Sequence, residues 1–352
     1  MARTTSPAHD PVSADETPGP SGAPIARGGP LPWTNLTIDS PGDVGSQLSV
    51  APNPSTNPAS PLVAYYDAST NGGDLKFATL DSAGAWVSET VLSTADDEGN
   101  ATSIAIGSLG GDRHIIHYDQ TNSTWEHAWG QPGNWQHETI ENLGAPGAFG
   151  LDSGLGVTDG GGGDVLYAAY PDVSATGIRF AQKDFGSWTI TPHEVGLNVR
   201  DIDLVVDSDF SGTAHLAYVD TDSYDLHYAT RTFFGTFASE IAQTDVGCEG
   251  CMVSIALDSL NRPHIIYTSG TANSAVVHTW LDSGTWFAED IESGTAFNDF
   301  TSFSLEIDDF DNLHVAYRNG VTGQLTFARK IGGSWSTQNV AAMGAAGGVQ
   351  YV

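Results

Sequence analysis

Basic residues are scarce in this chain of 352 residues, which has 3 lysines and 9 arginines against 31 aspartates and 12 glutamates. The formal net charge of −31 argues against a nucleic-acid-binding protein, because phosphate binding needs a basic surface. No apolar run approaches the roughly 18–20 residues of a membrane-spanning helix. A sustained helical period is also missing, and 41 glycines and 17 prolines argue further against long helices.

The excess of aspartate over lysine predicts adaptation to high salt. A surface of one charge sign repels itself at low ionic strength and destabilises the compact state. In about 1 M salt the Debye length falls to roughly 3 Å, so the repulsion is screened. The composition resembles that of proteins from extreme halophiles, above all haloarchaea. An ordinary acidic secreted protein is the alternative.

Residues 1–32 form a segment rich in Ala, Pro, Ser, Thr and Gly, with no apolar stretch behind the first methionine. This composition predicts an arm that is flexible by itself or ordered by a larger assembly. The segment has neither a signal-peptide pattern nor a twin-arginine pair, so we expect no signal peptide. Residues 33–352 are predicted to form the folded domain.

An internal repeat organises this predicted domain. A Gly-x-Trp element, once Gly-x-Phe, recurs at intervals of 49, 53, 49, 49 and 49 residues, with its aromatic residue at Trp86, Trp135, Trp188, Phe237, Trp286 and Trp335. Repeat periods of about 20–50 residues are typical of solenoids, propellers and arrays. Each period contains four short runs of alternating polarity separated by Asp, Ser, Asn and Gly, which predicts four antiparallel strands.

The second and third predicted strands share a motif in all six repeats. The second reads His264-Ile-Ile-Tyr267 and His314-Val-Ala-Tyr317 in the last two units, and the third reads Leu226-His-Tyr-Ala229 in the fourth. This His-Ile-Ala-Tyr, Leu-x-Tyr-Ala, Gly-x-Trp pattern resembles a β-propeller repeat common in bacterial and archaeal surface proteins. The resemblance covers residues 33–340. It implies a propeller fold and says little about activity.

We therefore predict an all-β protein, a six-bladed β-propeller of four-stranded antiparallel blades. The six repeats span approximately residues 47–94, 101–144, 149–196, 200–244, 251–294 and 299–344. An additional tryptophan-bearing strand at 33–38 is predicted to close the ring beside the last blade. A seven-bladed ring, which would need two strands from another chain, is the second choice.

No metal site and no cofactor are expected. Cys248 and Cys251 form a lone C-x-x-C, which falls short of the four ligands of structural zinc, so we favour a local disulfide over two free thiols. Asp-rich segments beginning at Asp207 and Asp308 are interpreted as Asx-turns rather than calcium loops. Four histidines occupy equivalent points of different repeats and are predicted to be structural: His114, His215, His264 and His314.

A ligand site is predicted where the repeats diverge. Trp129 and Trp280 occupy a column that holds no aromatic residue in the other repeats, while Tyr118, Asp119 and Arg318 follow the second strand. An aromatic platform beside hydrogen-bonding groups suits a neutral sugar. The alternative is that both tryptophans pack one blade on the next, since tryptophan is highly buried on average.

No catalytic residue is predicted. The chain lacks the Gly-x-Ser-x-Gly elbow, a phosphate-cradling loop and the boxes and arginine triad of propeller sialidases. With 43 acidic residues, a carboxylate pair at a catalytic separation would arise by chance and would be uninformative. We therefore predict a non-enzymatic recognition or structural module.

The most specific hypothesis is a surface protein of a haloarchaeal virion, such as a spike, turret or fibre. Its arm would contact capsid or tail proteins, and its propeller would contact glycans or glycoproteins of the host envelope. The expected location is the virion or the extracellular surface. The sequence does not decide whether the protein forms a homo-oligomer. The alternatives are a lectin-like or scaffold propeller of a halophilic cell and, third, an enzyme acting on polysaccharide.

Overall fold

The computed structural model describes residues 33–342 apart from short gaps, which are 35, 41, 54–59, 70–71, 108–110, 144–151, 173–175, 185, 195, 208–211, 248–251, 271–274, 294–302 and 320–321. The chain divides into two units, Met1–Trp33 and Thr34–Val352, and the described residues other than Trp33 belong to the second. The predicted arm at 1–32 and the predicted disulfide between Cys248 and Cys251 lie outside the described residues.

The second unit consists of six antiparallel sheets, each with four strands in sequence order. We number these sheets as blades 1 to 6 along the chain. Blades 1 and 2 contain β1 (Val44–Asn53), β2 (Ser60–Asp67), β3 (Asp74–Leu80), β4 (Trp86–Leu92), β5 (Asn100–Ile106), β6 (Arg113–Asp119), β7 (Thr124–Gln131) and β8 (Asn134–Asn142).

The remaining blades repeat this arrangement. Blades 3 and 4 contain β9 (Gly154–Asp159), β10 (Asp164–Pro171), β11 (Ile178–Asp184), β12 (Trp188–His193), β13 (Val199–Val206), β14 (Ala214–Asp220), β15 (Asp225–Arg231) and β16 (Ala238–Gln243). Blades 5 and 6 contain β17 (Val253–Leu257), β18 (Pro263–Ser269), β19 (Ala275–Asp282), β20 (Thr285–Ser293), β21 (Phe303–Ile307), β22 (Leu313–Asn319), β23 (Gln324–Ile331) and β24 (Ser334–Ala342). The described residues include no helix long and apolar enough to cross a membrane.

The six blades form a ring around a central cavity of about 840 Å³. The first strand of every blade contributes to the lining of that cavity, with Leu48, Ile104, Leu155, Leu204, Ile255 and Leu305 as one example from each. The predicted six-bladed β-propeller is thus confirmed, and the seven-bladed alternative is wrong.

Burial within a blade follows the sequence pattern strand by strand. The second strand of blade 4, β14, is buried at all of its 7 positions, because neighbouring blades cover both of its faces. Its nearly continuous apolar sequence fits a strand of this kind. The outer strand β16 instead exposes its first 4 positions, two of which carry the polar residues Ser239 and Glu240.

The cores lie between blades rather than within one sheet. The cluster between blades 2 and 3, for example, joins Tyr118 and Trp125 to Leu155 and Tyr170. A single blade has no other way to cover its apolar faces, so neighbouring blades stabilise each other.

The prediction of a ring-closing strand at residues 33–38 is wrong. Its described part contains no strand, and every blade is already complete with four strands of its own segment. Ile38 instead packs against the blade 1 cluster of Val63, Tyr65 and Ala78. The following Asp39 accepts a hydrogen bond from the hydroxyl of Tyr65 at 2.6 Å and forms an ion pair with Lys76 at 3.0 Å.

Candidate functional site

The five residues predicted to bind a ligand do not form one site. In blade 2 the register pairs Trp129 with His114 at the start of β6 and pairs Trp125 with Tyr118 near its end. At about 3.3 Å per residue, Trp129 and Tyr118 therefore lie roughly 13 Å apart along the hairpin. This separation was not predicted, because a comparison of equivalent positions between repeats contains no information on the direction of the strands.

Tyr118 and Asp119 are both buried, with exposed fractions of 0% and 2%. The ring of Tyr118 packs against Trp125 at a centroid distance of 5.4 Å. Asp119 accepts hydrogen bonds from the backbone N–H and the side-chain amide of Asn122, at 2.9 and 2.6 Å. These contacts support the core and the β6–β7 turn, so neither residue presents itself to a sugar.

Arg318 lies near the end of β22, opposite Leu325 of β23, and is half-buried. This is again the end of the hairpin remote from the tryptophan column, because the residue of blade 6 equivalent to Trp129 is Arg329, which pairs with His314. The proposed contribution of Arg318 to a tryptophan site therefore has no geometric support.

The two tryptophans belong to two equivalent groups of side chains between blades. We define site 2/3 as His127, Trp129, Glu138, Lys183 and Trp188, and site 5/6 as His278, Trp280, Glu289, Lys330 and Trp335. In each site the histidine, the first tryptophan and the glutamate come from one blade, and the lysine and second tryptophan come from the next. Three blades separate the two sites, so they lie on opposite sides of the six-membered ring.

Strand register explains why these residues meet. His127 pairs directly with Glu138 across β7 and β8, so their side chains lie on the same face of the sheet. Trp129 follows His127 by two residues and therefore shares that face. In the next blade Lys183 pairs with Trp188, which brings both side chains to the facing surface.

In site 2/3 three donors converge on one oxygen of Glu138. The Nδ1 of His127 and the Nε1 of Trp188 donate to Oε1 at 3.0 and 2.9 Å, and Lys183 Nζ forms an ion pair with the same atom. The Lys183 ammonium also lies 4.9 Å from the ring centroid of Trp129. The His127 ring stacks on Trp129 at 4.9 Å with an interplanar angle of 15°.

Site 5/6 reproduces this geometry closely. Glu289 Oε1 accepts from His278 Nδ1 at 3.0 Å and from Trp335 Nε1 at 2.9 Å, and it pairs with Lys330. Lys330 Nζ lies 4.8 Å from the centroid of Trp280, and His278 stacks on Trp280 at 4.8 Å and 15°. The same chemistry is therefore built twice from different parts of the chain.

The hydrogen-bond network assigns the protons in both sites. Burial lowers the pKa of His127 to about 4 and that of His278 to about 3, although the adjacent glutamate opposes the shift. Each histidine is therefore neutral at pH 7, donates from Nδ1 to its glutamate, and accepts at Nε2 from His114 or His264 of the second strand.

The carboxylates are ionised at neutral pH. Burial by itself would raise the pKa of Glu138, but hydrogen bonds from His127, Lys183 and Trp188 outweigh it and lower the pKa to about 2. Contacts of the same kind lower the pKa of Glu289 against the effect of burial. Each site thus holds a fixed negative charge beside a fixed positive one.

The second carboxylate oxygen is what these sites offer to a ligand. Within the described part of the chain, no hydrogen bond reaches Oε2 of Glu138 or Glu289, and the two side chains are 30% and 31% exposed. The lysines are partly exposed as well, as are Trp129 and Trp280. An oriented acceptor, an ammonium donor and an aromatic surface are thereby brought together.

None of the other four interfaces holds the full set among its described residues. Glu89 and Glu240 accept from Trp135 and Trp286, but the lysine position holds Gly130 and Leu281. The remaining two interfaces have replaced the glutamate, with Thr191 opposite Phe180 and Gln338 opposite Phe327. The complete combination is therefore specific to sites 2/3 and 5/6.

The glutamates and lysines of both sites were not predicted from the sequence. A usable signal was present, because two of the three lysines in the chain, Lys183 and Lys330, precede the Gly-x-Trp tryptophan by 5 residues. In a chain so depleted in lysine, the retention of both at one repeat position indicates a shared role.

Comparison with known proteins supports the fold. No protein-family model matches the chain, and no functionally curated protein has a similar sequence. Among solved structures, the Aleuria aurantia lectin, described as a six-bladed β-propeller with a novel fucose recognition mode, superposes with a TM-score of 0.57 at 13% identity, covering 87% of this chain and 100% of the lectin. At this identity the similarity establishes the architecture.

Two further structures give the same result. AofleA from Arthrobotrys oligospora superposes with a TM-score of 0.56 at 13% identity, over 86% of this chain and 87% of that protein. The SapL1 lectin, solved with α-methyl fucoside, gives a TM-score of 0.52 at 13% identity, over 85% of this chain and 97% of the lectin.

Proposed function

We propose that the protein is a non-enzymatic glycan-recognition module that binds neutral saccharides at sites 2/3 and 5/6. The observation that carries this proposal is the duplicated arrangement of glutamate, lysine and two tryptophans at opposite positions of the ring. Two other interfaces of the same molecule are filled differently, with Gly130 or Leu281 in place of the lysine.

The chemistry of the sites selects the ligand class. A sugar hydroxyl donates to a carboxylate oxygen and accepts from an ammonium group, and the apolar face of a pyranose covers an aromatic ring. Glu138 and Lys183 balance each other's charge, whereas the net charge of −31 repels uronates and sialic acids. The structurally similar lectins are described with fucose and α-methyl fucoside, which makes fucosides suitable first probes.

Removal of the two glutamate charges tests the proposal. Glu138→Gln combined with Glu289→Gln is expected to weaken binding of the best glycan from an array at least tenfold, because an amide holds the lysine less firmly and presents a weaker acceptor. Gln338 already occupies the equivalent position of blade 6, so the fold accommodates the change. Isothermal titration calorimetry is expected to give two sites for the parent protein and one for either single variant.

Glu240→Gln provides the matched control. Glu240 also accepts a bond from a tryptophan Nε1, at 3.0 Å, but its interface lacks the lysine, so binding is expected to be unchanged. Trp129→Ala and Trp280→Ala are expected to weaken their own site by about 1–3 kcal/mol if the rings contact the sugar. If the double glutamate variant still binds glycan with unchanged affinity, the two sites are not the binding sites. If both tryptophan variants bind as the parent does, the two rings serve only to pack one blade on the next.

The larger setting of the protein stays a prediction. The proposed virion surface location, with capsid or tail partners for the arm, rests on composition and on the N-terminal sequence. Density-gradient fractionation in high salt, with mass spectrometry of the chain, tests it directly. We expect co-migration with particles. Recovery only as free protein would favour a cellular lectin-like propeller.

A further inference from the structure

A second cluster of charged side chains lies in blade 2, remote from the tryptophan end of the hairpin. Asp96 and Glu98 precede β5, and Asp119 ends β6. One carboxylate oxygen from each of the three residues lies within 4.8 Å of the other two. The amide of Asn122 donates to Asp96 at 3.0 Å and to Asp119 at 2.6 Å, which links the two segments.

Glu98 is the residue that needs explanation. Its exposed fraction is 4%, and within the described residues its Oε2 accepts no hydrogen bond. A buried carboxylate oxygen without a donor is costly, and buried charges are normally paired or bound to a metal. The other oxygen, Oε1, receives only a long bond of 3.4 Å from the hydroxyl of Thr94.

His117 does not neutralise this carboxylate. Its Nδ1 lies 3.5 Å from Glu98 Oε2, but that nitrogen accepts the backbone N–H of Gly99 at 3.3 Å and therefore carries no proton. An imidazole with one unprotonated ring nitrogen is neutral, so His117 provides no counter-charge.

Two other blades place a cation beside the aspartate equivalent to Asp119. The residues equivalent to Asp119 in blades 1 and 3 are Asp67 and Asp172, which face Lys76 at 3.7 Å and Arg179 at 2.8 Å. In blade 2 the residue at the place of these cations is Glu126. The position that supplies a cation in blades 1 and 3 therefore supplies a further negative charge in blade 2, whereas blades 4, 5 and 6 hold His227, Val277 and Thr326 there.

We propose that Asp96, Glu98 and Asp119 bind a calcium ion. Calcium takes carboxylate oxygens at about 2.3–2.6 Å, so oxygens up to about 4.8 Å apart can contact the same ion. The bound ion would give Glu98 Oε2 the missing partner and would replace the cation of blades 1 and 3. It would also fasten the segment before β5 to the β6–β7 turn.

Calcium titration of the full chain, stripped with a chelator and held at high NaCl, tests the site. We expect one saturable site per chain by calorimetry and a rise in melting temperature on calcium addition. Glu98→Gln and Asp119→Asn are each expected to weaken calcium binding at least tenfold. Asparagine is compatible with the turn, because Asn319 accepts the equivalent backbone bond in blade 6 at 3.0 Å.

Asp220→Asn is the matched control, since it removes one charge from the equivalent turn of blade 4, where Asp220 accepts from the backbone N–H of Asp222. It is expected to retain calcium affinity. Absence of saturable binding in the parent protein, or equal weakening in the control and in Glu98→Gln, would overturn the proposal. Stronger binding of Mg²⁺ than of Ca²⁺ would overturn the choice of ion.

Discussion

Acidification from pH 6.5 to pH 4 is expected to remove about 6 kcal/mol of unfolding free energy through His127 and His278. Both are neutral and buried in the folded protein, with pKa values lowered by burial to about 4 and about 3 from the ordinary 6.5. At pH 4 the unfolded chain therefore holds more protons on these two histidines than the folded protein does. Stability from these groups is complete above pH 6.5 and decreases as the pH falls, by about 3 kcal/mol for each at pH 4.

Phenylalanine supplies the control for this pH effect. Phe77, Phe180 and Phe327 occupy the equivalent position in blades 1, 3 and 6, so the fold accepts this ring. Between pH 6.5 and pH 4, the double variant His127→Phe, His278→Phe is expected to lose about 6 kcal/mol less unfolding free energy than the parent protein. Denaturant unfolding at constant high ionic strength measures the difference. Parallel pH curves for the two proteins would contradict the assignment of neutral histidines.

Replacement of Trp125 by alanine is expected to lower the free energy of unfolding by about 3–5 kcal/mol. Its exposed fraction is 0%, and its ring stacks on Tyr170 of the next blade at 4.6 Å and contacts Tyr118 of its own blade. Truncation would leave a cavity at the contact between blades 2 and 3. A rigid ring of blades has little freedom to close such a cavity.

Leucine at the same position separates cavity formation from loss of the ring. Leu75 and Leu226 are the equivalents of Trp125 in blades 1 and 4, and both are fully buried. Trp125→Leu is therefore expected to lower the free energy of unfolding less than Trp125→Ala does. Neither variant is expected to alter calcium binding. Equal destabilisation by the two substitutions, measured by urea titration, would show that volume at this contact is unimportant.

The repeat made the architecture predictable. Strands alternate around turns of Asp, Asn, Ser and Gly, and each approximately 49-residue period contains one blade, so six repeats predicted six blades. The strand expected at 33–38 was wrong because a Pro-Trp motif resembles the fourth strand locally, whereas all six sheets are completed by their own segments. Local sequence cannot indicate whether a place in a sheet is already filled.

The candidate sites show where sequence reasoning ends. Trp129 and Trp280 were recognisable as departures from the repeat, but Lys183 and Lys330 reach them from the following blade, more than 49 residues away in sequence. Tyr118 and Asp119 were grouped with them, although strand direction places these residues at the other end of the hairpin. Proximity in a repeat alignment is not proximity in space.

By itself, the sequence determined the strand pattern, the number of blades and the acidic surface, because these depend on local turn chemistry, on periodicity and on composition. Only the tertiary structure decided which blade completes each glutamate site and which carboxylate is buried without a donor. The glutamate sites depend on contacts between neighbouring blades, where Glu138 meets Lys183. The buried carboxylate depends on the fold of blade 2, which brings Glu98 of the segment before β5 beside Asp119 at the end of β6. Neither arrangement can be deduced from the residues of one strand or one repeat motif.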